Sequence, residues 1–159
     1  MGAKTAALAR QFEDKARAAV ATLEKLGDAE WRMVTAEKWT VGVTAHHLAR
    51  GLEAVSGIVT AIVSGGLSRG SFTRAMLDEM NAQHAREHAD CTRAETLTLF
   101  QTGAAKAFAV VQSLSDDQLA TSGTVFTDAP PMTAEQLIKL GLVGHIDDHM
   151  GSIRKTVGM

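Results

Sequence analysis

The chain has 159 residues, with 16 basic against 18 acidic side chains, a formal net charge of -2, and only 4% aromatic residues. This scattered, nearly balanced charge excludes the concentrated positive footprint that nucleic-acid binding needs, and a single cysteine, Cys91, excludes an intrachain disulfide framework and fits a reducing cytoplasm. No apolar run approaches the ~20 residues of a membrane span, so a soluble protein with no membrane or nucleic-acid partner is expected.

Four helices of ~20 to 25 residues with their connections would use the length almost fully, and only two prolines occur, Pro130 and Pro131. The expectation is all-α: an up-down four-helix bundle forming one domain over residues 1–159. The first helix is expected over residues 5–26, where Leu8, Phe12, Ala16, Val20, Leu23 and Leu26 recur at helical spacing and Gly27 offers a left-handed stop. Residues 28–39 have no clean period and hold both tryptophans, Trp31 and Trp39, read as bulky plugs at one end of the bundle.

Thr40 caps a second helix over residues 41–64 that contains adjacent His46 and His47. Neighbouring helical residues point ~100° apart, so at most one of the two is expected on the core face. His46 shares its face with Gly42, Arg50 and Glu53, whereas His47 lies with Val43, Gly51, Ala54 and Ile58, which favours His47. Gly51 costs the helix about 1 kcal/mol relative to Ala, a loss that makes sense if space beside an imidazole matters.

Residues 64–70, SGGLSRG, read as a flexible connection, and residues 72–89 as a mostly polar helix. That helix carries His84 and His88 at i, i+4, on a stripe with Leu77, Asn81 and Cys91 flanked by charges, which reads as a solvated face. Thr92 with Glu95 forms a capping box that opens a third helix, along which Leu97, Phe100, Ala104, Ala107, Val111 and Leu114 make one stripe. Ser115 with Gln118 repeats the device, and residues 121–129 suit an extended excursion or a small hairpin arm. A last capping box, Thr133 with Gln136, starts a fourth helix that runs to residue 157. Its apolar stripe is Ile138, Leu142, His145, His149, Ile153 and Thr156, so two histidines one turn apart face the core.

His47, His145 and His149 together could hold one divalent ion with a fourth position open for water or a thiolate, whereas three imidazoles buried without partners would be costly. An imidazole site suits Zn, Ni, Cu or Fe. A zincin is excluded because Ile146 stands where H-E-x-x-H requires Glu, a di-iron bundle because no E-x-x-H occurs, and covalent haem attachment because there is one cysteine. Asp148, three residues beyond His145, could fix an imidazole tautomer, although both Asp147 and Asp148 also suit a solvent-facing helix side. Met80, Met132 and Met150 could line an adaptable small-molecule pocket, or simply fill core.

The order of short motifs resembles the DinB-like superfamily of four-helix bundles, which includes bacillithiol transferases and mycothiol-dependent maleylpyruvate isomerases. Trp39-Thr40-Val41 followed by His47-Leu48, then Asp78-Glu79-Met80-Asn81, then His145-x-x-x-His149 carry the likeness across nearly the whole chain. The resemblance implies a long crossover between helices 2 and 3 and a divalent metal, Zn or Ni in many members, held by His47, His145 and His149. It also implies homodimers and a metal-dependent thiol transferase or isomerase acting on a low-molecular-weight thiol and an electrophile. A non-catalytic, metal-binding, stress-related dimeric bundle is the competing expectation. Roles for His46, His84 and His88 stay open at this level.

Overall fold

A computed structural model of the chain describes residues 2–67 and 72–159. Its helices are α1 (Ala3–Glu24), α2 (Asp28–Trp31), α3 (Val41–Val63), α4 (Arg74–Glu87), α5 (Arg93–Ser113), α6 (Ala134–Leu137) and α7 (His145–Val157). The expected connection over residues 64–70 falls partly outside the described residues. The all-α expectation holds, and four rods make the bundle: α1, α3, α5 and the continuous helix formed by α6, a π-helical segment (Ile138–Gly144) and α7.

Contacts along these rods give their directions. Gly103 of α5 faces Ala49 of α3, and Lys106 pairs with Glu53 one turn further on, so α3 and α5 run parallel. Parallel neighbours need a crossover, and α4 supplies it, as the resemblance implied. Asp116, just past α5, accepts from Thr5 near the start of α1, so these two are antiparallel. Lys15 with Asp147 and Arg154 with Thr22 align α7 with α1. The rods therefore run up, down, down, up, and α7 is antiparallel to α3.

The core follows the sequence stripes on α1, α5 and the last rod, but on α3 it lies on Leu48, Leu52 and Val59 rather than on the stripe read through His47, of which Ala54 is exposed. Phe12, Leu23 and Leu26 of the first stripe, Leu48, Leu52 and Val59 of α3, Phe100 and Val111 of α5, and Ile138, Leu142, Met150 and Ile153 of the last rod are all fully buried. Among the described residues, no helix is long and apolar enough to cross a membrane. Thr40, Thr92 and Thr133 each accept a backbone N–H at a helix start, and Glu95, Gln136 and, with Ser115, Gln118 complete the three expected boxes. The hairpin arm is present in miniature: Ser122–Gly123 pairs antiparallel with Met132–Thr133.

Two local expectations give way. Gly27 is extended, at φ -86°, because the chain turns at once into α2 and its N–H donates to Glu30. The last rod is not α-helical throughout. Its π segment lies where Gly141 comes so close to α3 that a Cβ would meet Val55 at 2.9 Å. A π turn adds a residue and re-aims the side chains that follow it, and the first residue that follows is His145. Met80, Met132 and Met150 form no common lining: Met150 is fully buried in the core while Met80 is half exposed on α4.

Candidate metal centre

His47 lies two turns into α3, and His145 and His149 occupy the first and second turns of α7. Because α3 and α7 are antiparallel neighbours, the three rings converge: centroids are 5.1 Å apart for His47 and His145, 4.9 Å for His47 and His149, and 4.6 Å for His145 and His149. One potential ligand atom from each lies within 4.8 Å of the others. The Nε2 atoms of His145 and His47 are 3.2 Å apart. Two nitrogens bound tetrahedrally at roughly 2.0 to 2.1 Å from one ion are separated by about 3.3 Å, so this spacing serves a shared ion as well as it serves an N–H···N hydrogen bond. Gly51 makes room for it, since a Cβ there would sit 2.7 Å from His145 Cε1. The space anticipated beside an imidazole at Gly51 exists, and the ring that uses it is His145.

Electrostatics keep the rings neutral. Burial, reinforced by His145, His149 and His84, pushes His47 down to about 3; burial and His149 push His145 down to about 4; burial lowers His149 as well. Neutral imidazoles keep the lone pair that a metal ligand must offer. Buried Nδ1 atoms of His145 and His149 have no hydrogen-bond partner. The donor set and the spacing fit a bound divalent ion.

The remaining three histidines form a second group. His46 is only 9% exposed and His84 only 5%, so the expectations of a solvated His84–His88 face and of a single inward histidine at 46 and 47 are both overturned. The reason is tertiary: α4 lies over the flank of α3 that carries His46, and covers a face that periodicity reads as open. His46 Nδ1 is 2.7 Å from His84 Nε2, and His88 stacks on His46 with centroids 4.2 Å apart. The two groups touch through His47 and His84, at 5.9 Å.

A family model described as DinB superfamily matches residues 11–153, nearly the whole chain. The chain belongs to the DinB superfamily. No curated protein matches it significantly. In this DinB-superfamily bundle, the spacing of His47, His145 and His149 was legible in the sequence, but Glu37 was not singled out and Trp39 was read only as a plug and as part of the family motif. Glu37 and Trp39 come from the turn before α3, where Lys38 adopts φ 67°, a left-handed conformation that L-residues avoid. That turn is tied down by Thr35 N–H donating to the Trp39 carbonyl and by a bridge between Val34 and Thr40. It sets Trp39 against the His47 ring at 5.1 Å and Glu37 Oε1 at 3.8 Å from His149 Nδ1, while Ser152 donates to the other carboxylate oxygen. Some burial favours protonation of Glu37, but hydrogen bonds from Ser152 and Thr35 outweigh it and hold the carboxyl below its usual range. The carboxylate beside the DinB histidines is therefore Glu37. Asp148 is exposed, and Asp147 pairs with Lys15 at 2.7 Å.

Proposed function

We propose that this protein binds one divalent metal ion, Zn or Ni, through His47, His145 and His149, and acts as a metal-dependent thiol transferase or isomerase. The observation that carries the proposal is the convergence of three neutral imidazoles whose potential ligand atoms lie within 4.8 Å of one another. When bound, the ion would supply an open position that lowers the pKa of a low-molecular-weight thiol and holds it as a thiolate for attack on an electrophile.

The chain's own residues do the rest. Ionised Glu37, facing His149 Nδ1, favours the tautomer that carries its proton there and leaves Nε2 as the donor. Trp39 packs on His47 and limits how far that ring can turn. Cys91 does not belong to either histidine group, and burial pushes its thiol up, so the nucleophilic thiol would come from outside the chain. A homodimer in the cytoplasm is the setting that the family likeness favours.

The test is thiol consumption by zinc- or nickel-loaded protein with chlorodinitrobenzene, compared with His145→Ala. Turnover that requires metal and falls at least a hundredfold in the variant is expected. Absence of metal binding would overturn the proposal. Tight metal binding without turnover across common thiols would favour the non-catalytic, metal-binding reading.

A further inference from the structure

We infer that His46, His84 and His88 form a second cation site, which fastens the crossover helix α4 to α3 and takes a borderline ion of the zinc class independently of the first. All six histidines of the chain are thereby placed in two groups of three.

Two observations carry this. The ligand atoms of His46, His84 and His88 lie within 4.8 Å of one another, the same closeness as in the first group, and His84 is only 5% exposed. The second observation concerns what holds α4. Of its 14 residues only His84 is buried, while Met76 and Met80 are exposed, so apolar burial contributes little to its docking. A helix this polar needs another source of attachment, and an ion shared between elements supplies one.

The donor set is pure imidazole, which suits zinc, nickel or copper and not the hard, oxygen-seeking calcium or magnesium. His46 Nδ1 and His84 Nε2, now 2.7 Å apart as a hydrogen-bonded pair, would separate by about 0.6 Å to reach a tetrahedral spacing. His88, half-buried at the end of α4, is the ring with most freedom to adjust.

The test is the number of zinc ions bound per chain, by elemental analysis and calorimetric titration of protein first stripped with chelator. Wild type should bind two, and His88→Ala and His145→Ala one each. His88 is chosen because the buried His84 could be needed for folding; hydrogen exchange gives a second readout. Zinc should slow exchange of α4 amides tenfold or more in wild type and in His145→Ala, but not in His88→Ala. One ion that is lost in His145→Ala and kept in His88→Ala would overturn this inference and leave the first site standing. One ion lost only in His88→Ala would do the reverse.

Discussion

Replacing Gly51 with alanine sets two calculable effects against each other. Alanine should favour α3 by up to about 1 kcal/mol through helix propensity alone. Its Cβ, however, would sit 2.7 Å from His145 Cε1 and 3.1 Å from Nδ1, where ordinary contacts begin near 3.4 Å, so the ring must retreat by about 0.7 Å. His145 has little room to retreat, since it packs edge-on against both His47 and His149. A plausible metal site tolerates about 0.2 Å in ligand distance. The displacement is several times that, and repositioning costs of this kind weaken metal binding by roughly 10- to 100-fold. Zinc affinity should therefore drop by that factor in Gly51→Ala, measured by competition with a chromogenic chelator, while the melting temperature in excess chelator stays level or rises. Unchanged zinc affinity would refute the argument that this glycine exists to seat His145. A fall in metal-free stability would show instead that the clash is borne by the helix.

Two more outcomes follow from the packing and the charges. Gly103→Val should destabilise the fold by about 1–3 kcal/mol in urea titration, because even a Cβ there meets the Ala49 carbonyl oxygen at 3.1 Å and Leu52 Cβ at 3.4 Å; a neutral result would mean that α3 and α5 can part freely. Chelator-treated protein should melt at progressively lower temperature as pH falls from about 6.5 toward 4, since His47, His84 and His145 stay neutral in the fold down to about 3, 4 and 4 while the unfolded chain takes up protons near 6.5. The unfolded state binds more protons throughout that window, so stability is full above it and is lost on acidification; a flat profile between pH 7 and 4.5 would contradict the buried, neutral state of these rings.

The sequence by itself determined the long helices, their N-terminal caps and the spacing of the principal histidine triad. Each of those depends on residues close together in the chain: a Thr and a Glu or Gln three apart, apolar residues at a 3.6 period, two imidazoles at i and i+4. The choice of His47 over His46 rested on the company each keeps on α3; the rings of 47, 145 and 149 do meet, but His46 is buried as well, against α4. Tertiary structure decided what periodicity cannot express, namely what lies opposite a polar face. α4 is charged along its outside, and nothing in its spacing reveals that its histidines press onto His46. Glu37 is far from His149 in sequence, and only the left-handed turn at Lys38 together with the antiparallel packing of α7 on α3 brings its carboxylate to that ring. The π segment before His145 likewise coincides with a close approach between Gly141 and Val55 that the local pattern does not show. A helix records in its own sequence which side is apolar, but a polar side chain is buried or solvated according to a partner that the local pattern does not contain.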